Sequence, residues 1–291
     1  MLDPDMEISR DPYDSLYVDL LKRVLRNSIY AETPTTTASD VADCARALDS
    51  VRATRPFVFE KYNLSGESLA TLLAYTKKDR ALHTYVRVAG LDNIEHCART
   101  IIEAGVPGDF VDAGTLRGGT AILMRGILKA YGDRGRKVVV ADSFEGLPMP
   151  SSLDSMFDRE IWYALADLLP QYNLRCIESL DRVRQNFERY SLLDEHVVFA
   201  PGWFRDTLKE LSTTQVAMLR IDADWYEGTR DALEALYPRI SNGGFVIIDD
   251  YHLDGCKRAT DEYRVKNRVF DKILTADADD GVVYWRKGGH K

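Results

Sequence analysis

From Asp109 onward the chain alternates short apolar runs with longer amphipathic stretches. The runs are DFVDAG, KVVVADSF, HVVFAPG, QVAMLRIDAD, GFVIIDD and, near the C terminus, GVVYWRK. Consecutive apolar residues without polar alternation predict strands buried on both faces, as in a parallel sheet. Between the runs, helices are expected over GGTAILMRGILKAYG, in a region reaching residue 190, from Trp203, over EGTRDALEALYPRI and from about Cys256. Alternation of this kind predicts an α/β protein with a mostly parallel, doubly wound sheet covered by helices on both sides.

The front of the chain has a different rhythm. Leu16, Leu20, Leu21, Val24, Leu25 and Ile29 recur at helical spacing across residues 11–30, behind Pro12. AETPTTTASD follows, a Thr-rich stretch that reads either as a linker or as a lid over a site. Ser39 or Asp40 is placed to cap a helix through VADCARALDSVRA, and a further helix is expected around GLDNIEHCARTIIEAG.

Composition narrows the function classes. A chain of 291 residues suits one large α/β domain, or a domain with an extension. It holds 46 acidic against 38 basic residues, a net charge of −8, which argues against nucleic acid as a partner because phosphate neutralisation needs clustered Lys and Arg. Cys44, Cys97, Cys176 and Cys256 have neither CxxC nor framework spacing, so reduced thiols and a cytoplasmic location are expected. No 18-residue apolar stretch and no basic leader before an apolar segment is present, so neither membrane nor export is expected.

Ligands of a doubly wound sheet sit at the carboxyl ends of its strands, and those ends are rich in acids and glycines. The first is VDAGTLRGGT, with Asp112, Gly114, Arg117, Gly118 and Gly119. Glycines let the backbone approach a ligand, and the N–H groups opening the next helix attract a carboxylate or phosphate. The spacing G-x-x-x-G-G lacks the G-x-G-x-x-G of dinucleotide binders, and a purely structural tight turn is the alternative. The second end places Asp142 where an acid accepts both hydroxyls of a ribose, or simply caps a helix.

The third and fourth ends are LRIDADWYEGT and IIDDYH. Two adjacent carboxylates at the end of a buried strand repel and are costly to desolvate unless something positive lies between them. Asp222, Asp249 and Asp250, with no cysteine, form a ligand set for Mg²⁺, Mn²⁺ or Ca²⁺ rather than zinc. Asp224 is either a fourth contributor or a helix cap. His252 lies beside the cluster and is either a proton acceptor or a hydrogen-bonding neighbour.

Together GVPGDFVDAGTLRGGTAILMRGILKAYG, VVVADSFEGLP, VVFAPGWFRDTL, LRIDADWYEGTRDALEALYPRISNGGFVIIDDY and CKRATDEYR resemble the macrocin and mycinamicin sugar O-methyltransferases. The resemblance runs from about residue 80 to the C terminus and reaches YVDLLKRVLRNSIY more weakly. It implies a class I, Rossmann-like fold dependent on S-adenosylmethionine (SAM) and Mg²⁺ or Mn²⁺, over residues 81–291, with an N-terminal helical extension and lid over residues 1–80. By position, Asp112, Gly114, Arg117, Gly118 and Gly119 are implied to hold the methionine end of SAM. Asp142 and Ser143 are implied at the ribose, Gly202 and Trp203 at the adenine, and Asp222, Asp249 and Asp250 at the metal.

The implied reaction is methyl transfer to a hydroxyl of a sugar or glycosylated small molecule in antibiotic biosynthesis, with Asp222 as ligand and base and a homo-oligomer as the working form. The chain departs from the family pattern at Asp112, Leu116, Ala223 and Gly228, which bears on the acceptor pocket. Three rivals stand beside this reading. The missing G-x-G-x-x-G counts against an NAD-dependent or sugar-nucleotide enzyme. The acid cluster counts against a module that only binds an anionic nucleotide. A catechol-type O-methyltransferase usually carries Asp-Asn where this chain has Asp249-Asp250.

Overall fold

The computed structural model describes residues 12–29, 37–54, 65, 67, 82–156, 158–160, 162, 163, 176–279 and 281–289. Among the described residues, the first helices are α1 (Pro12–Leu25), α2 (Ala38–Thr54) and α3 (Val88–Glu103). β1 (Asp109–Ala113), α4 (Gly119–Ala130), β2 (Val138–Asp142), α5 (Leu180–Arg189), β3 (Val197–Pro201) and the single turn α6 (Phe204–Thr207) follow. β4 (Val216–Ile221), α7 (Tyr226–Leu236), β5 (Ile240–Ile248), α8 (Asp254–Lys266), β6 (Leu274–Asp277) and β7 (Val282–Arg286) complete it.

The strands form one sheet in the order β3-β2-β1-β4-β5-β7-β6. β1 to β5 are parallel, and the C-terminal pair joins antiparallel, with Ile247 opposite Tyr284. The chain reverses direction across the sheet between β1 and β4, which opens a crevice at the carboxyl ends.

Period two sorts the apolar residues onto two faces. Phe110, Val138, Val140, Met218, Phe245, Ile247 and Val282 pack with Leu91, Ile94 and Ile101 of α3 and Ile122 and Ile127 of α4. Val111, Val139, Leu219, Ile221, Val246, Ile248 and Val283 pack with Leu233 and Leu236 of α7 and Tyr263 of α8. The same parity puts Asp112, two residues after Phe110, and Arg220, two after Met218, on the first face.

α1 belongs to that first core through Val18, Leu21 and Leu25. Its burial differs from the expected pattern: Leu16 and Leu20 are 61% and 54% exposed, and Val18 takes the inner face. Lys22 ties α1 to α3 by donating to Asp92 Oδ1 at 2.6 Å and to Glu95. The helix ends at Leu25, short of Tyr30, and Asn27 follows in the left-handed region. α2 starts at Ala38, so Ser39 and Asp40 lie inside its first turn instead of capping it. Residues 31–36 of the Thr-rich stretch lie outside the described residues.

The helices α7 and α8 begin with help from a distant segment. Their N-caps, Trp225 and Leu253, make no side-chain cap bond. Asp154 Oδ1 accepts from Tyr226 N at 2.7 Å, and Asp158 Oδ2 accepts from Gly255 N at 2.9 Å. Trp225 Nε1 donates to Pro148 O at 3.0 Å. The loop after β2 is therefore stitched across the starts of both helices, each carboxylate meeting the positive end of a helix. Among the described residues no helix is long and apolar enough to cross a membrane.

Candidate active site

The parallel ladder continues one residue beyond each strand. Gly114 N donates to Ala141 O (2.9 Å), Asp222 N to Ala113 O (2.8 Å), Asp249 N to Ile221 O (2.9 Å) and Gly202 N to Asp142 O (2.9 Å). Each loop thus leaves the sheet at one level, around a cavity of about 540 Å³. Of the residues singled out from sequence, Gly114, Asp142, Ser143, Trp203, Asp222, Asp224, Asp249, Asp250 and His252 line it. Asp112, Arg117, Gly118, Gly119 and Gly202 do not.

Asp112 lies beneath the cavity floor with no solvent exposure. Its Oδ2 accepts from Thr120 Oγ1 at 2.6 Å and its Oδ1 from Arg220 Nη1 at 2.9 Å. It supports the loop as a buried counter-ion and has no surface to offer a ligand. Arg117 turns outward, donating to Leu82 O at 2.8 Å with its guanidinium 5.5 Å from the Tyr85 ring centre, and so clamps the 82–86 segment. Gly119 accommodates the same segment: its N–H donates to His83 O at 3.0 Å, and a Cβ there would meet that oxygen at 2.3 Å. Gly114 has φ +93° and sits against the Asp222 carbonyl, which an added Cβ would meet at 1.7 Å.

Asp142 accepts three backbone hydrogen bonds, from Thr115 N (2.9 Å) and Leu116 N (3.0 Å) to Oδ2 and from Phe144 N (2.9 Å) to Oδ1. Burial raises its pKa in spite of these donors. A carboxylate has about four acceptor sites, so one remains for a ligand hydroxyl. Among the lining residues, His83 Nε2 and Thr115 Oγ1 are buried without a hydrogen-bond partner. Such orphaned groups fit a polar occupant of this end.

At the other end, ligand oxygens of Asp222, Asp224 and Asp250 lie within 4.8 Å of one another. Asp224 precedes the N-cap Trp225 and holds a left-handed φ of +54°. It therefore lines the cavity as part of the cluster and is not the helix cap. Burial, then the charges of Asp222 and Asp142, push its pKa up to about 8. Burial likewise raises Asp250, with Asp224, Asp222 and Asp249 adding to it. Three hard oxygen donors that repel when ionised fit a divalent cation.

Asp249 takes a different partner. Arg220 Nη2 donates both to Asp249 Oδ2 and, at 2.6 Å, to Asp222 Oδ2. Burial opposes the charge of Arg220, yet Asp249, Asp222 and Asp112 raise its pKa further, so it stays a cation. The positive group between the acids, which the sequence reading assigned to a metal alone, is in part a residue of the chain. Sequence reasoning missed Arg220, and a lone arginine inside the apolar run VAMLRID was its signal. It also missed His83, Thr84, Tyr85 and Val86, which close the cavity from the segment before α3.

Comparison with known proteins agrees with this geometry. Residues 14–287 match the family Macrocin-O-methyltransferase (TylF). The chain is 42% identical over 272 residues to the 8-demethyl-8-(2,3-dimethoxy-alpha-L-rhamnosyl)-tetracenomycin-C 4'-O-methyltransferase of Streptomyces olivaceus, covering 93% of this chain and 92% of that protein. It is 40% identical to the mycinamicin III 3''-O-methyltransferase of Micromonospora griseorubida, covering 94% of this chain and 96% of that one. The solved structure of the O-methyltransferase NovP superposes with a TM-score of 0.71 at 37% identity, covering 94% of this chain and 99% of that chain. The fold is that of the class I SAM methyltransferases, and the chain belongs to the macrocin O-methyltransferase (TylF) family.

Proposed function

We propose that the protein transfers a methyl group from SAM to a sugar hydroxyl of a glycosylated natural product, with Mg²⁺ or Mn²⁺ held by its acid cluster. The observation that carries this is the placement of Asp222, Asp224 and Asp250 within 4.8 Å at the same strand ends as the Asp142 loop. The relatives named above act, by their names, on tetracenomycin and mycinamicin glycosides.

Asp142 and the Gly114 loop are suited to the ribose and the methionine end, with Trp203 at the adenine. A bound divalent ion supplies Lewis acidity to a coordinated hydroxyl. The chain's own task is then to hold donor and acceptor in line and take up one proton. In this reading Asp222 takes up that proton, and His252 at the exposed rim passes it to solvent. Residues 81–291 carry this machinery, residues 1–80 extend and cover it, and the working form is a homo-oligomer.

The test is incubation with SAM and a panel of glycosides bearing free sugar hydroxyls, read by mass for one added methyl, with and without EDTA. Methylation of catechols but of no glycoside overturns the sugar assignment. Turnover that persists in EDTA overturns the metal.

A further inference from the structure

Arg220 occupies a position in β4 where every neighbour along the strand is buried and apolar. Removing a guanidinium from water is costly, and one carboxylate already balances its single charge. Arg220 has three, and its two terminal nitrogens divide them. Nη1 faces Asp112 Oδ1 (2.9 Å), the Gly114 carbonyl (3.3 Å) and Thr120 Oγ1 (3.4 Å). Nη2 faces Asp222 and Asp249. The ladder explains the arrangement: Arg220 is in register with Asp112 on β1 and Ile247 on β5, so residues two further along each chain converge above it.

We propose that Arg220 is a positioning residue for the cation site. Through Nη2 it presets the orientation of Asp222, the cluster member it touches, against Asp249, and through Nη1 it ties that orientation to Asp112 and the base of the Gly114 loop. The inference rests on the reading that the acid cluster receives a divalent ion. The planar fork of arginine can serve both ends at once, whereas a lysine ammonium is a single point. This one guanidinium pairs with three carboxylates, Asp112, Asp222 and Asp249, while Asp224 and Asp250 gather at Asp222, so it orders the cluster without neutralising it.

Two roles predict opposite signs. If Arg220 were only a nearby positive charge, removing it would strengthen cation binding by relieving repulsion. If it positions the acids, removing it releases them and weakens binding. Arg220→Lys keeps the charge and loses the fork, and Arg220→Gln loses the charge.

The experiment measures Mn²⁺ affinity by electron paramagnetic resonance, SAM affinity in EDTA by calorimetry, and kcat and acceptor KM. Both variants are expected to bind Mn²⁺ about 10- to 100-fold more weakly than wild type, as outer partners of metal ligands do. They are also expected to lose kcat with acceptor KM little changed, a split that general loosening of the fold does not produce. Wild type binding no Mn²⁺ sinks the metal reading itself. Wild type binding normally while Arg220→Lys matches it, or Arg220→Gln binding more tightly, overturns the positioning role alone. Should melting in EDTA show both variants unfolded, wild-type crystals soaked in Mn²⁺ decide. A guanidinium still on Asp222 and Asp249 supports the role, and one that has left both overturns it.

Discussion

Asp112 and Arg220 stand side by side in the β1–β4 ladder, the guanidinium donating to the carboxylate at 2.9 Å with both side chains removed from water. Cutting one partner of such a pair leaves a buried, partly uncompensated charge. Asp112→Ala is therefore expected to lose about 3–5 kcal/mol of stability, read by urea denaturation. A loss within about 1 kcal/mol shows that Asp222 and Asp249 alone suffice to hold the arginine.

Gly114→Ala tests the contact between the loop after β1 and the end of β4. The new methyl meets the Asp222 carbonyl at 1.7 Å in a backbone with φ +93°. Backbone strain alone is worth about 1–3 kcal/mol, and the overlap also pushes Asp222 out of line. Melting temperature and SAM affinity are both expected to fall. Wild-type values for both refute the close approach.

Asp250→Asn keeps size and removes one charge from the cluster with Asp222 and Asp224. The variant is expected to fold and bind SAM nearly as wild type while losing about 10²-fold or more in methyl transfer, close to 3 kcal/mol of barrier. Partial recovery at high Mg²⁺ or Mn²⁺ is expected, measured by initial rates. Full activity in this variant removes Asp250 from the metal site.

His83 makes acid stability measurable at one residue. Burial, then the charges of Arg189, Arg117 and Arg182, lower its pKa to about 4. The unfolded chain, with the histidine near 6.5, binds the proton more readily than the folded one. Its contribution is therefore fully present above pH 6.5 and is lost as pH falls from 6.5 towards 4. His83→Gln is expected to flatten that part of the stability profile by up to one proton per chain, read from urea titrations at several pH values. An unchanged slope shows that the histidine protonates freely in the folded state.

The strands and most helices were legible because β1, β2, β4 and the second half of β5 are buried on both faces and, with the half-buried edge strand β3, read as unbroken apolar runs. β6 was not: LTAD offers one leucine and is half exposed, so no periodicity marks it. At the site, the doublet Asp249-Asp250 and the nearby Asp222 announced themselves as charges with no structural excuse. Which oxygen faces which partner depends on strand order, because only adjacency of β1, β4 and β5 brings Asp112, Arg220 and Asp249 together. The pairing of Arg220 with Asp222 was nearer to hand, since two residues apart on a strand means the same face.

The loop after β2 is pegged at two points, Asp154 on α7 and Asp158 on α8, while Leu147 and Pro148 ahead of the pegs form part of the cavity wall. Floor and wall are thus separable parts. The acids rise from the sheet, and the wall hangs from helix starts through the two aspartates and the Trp225 bond to Pro148. Residues around the pegs can therefore be exchanged, by drift or by design, while the acids of the floor keep their places.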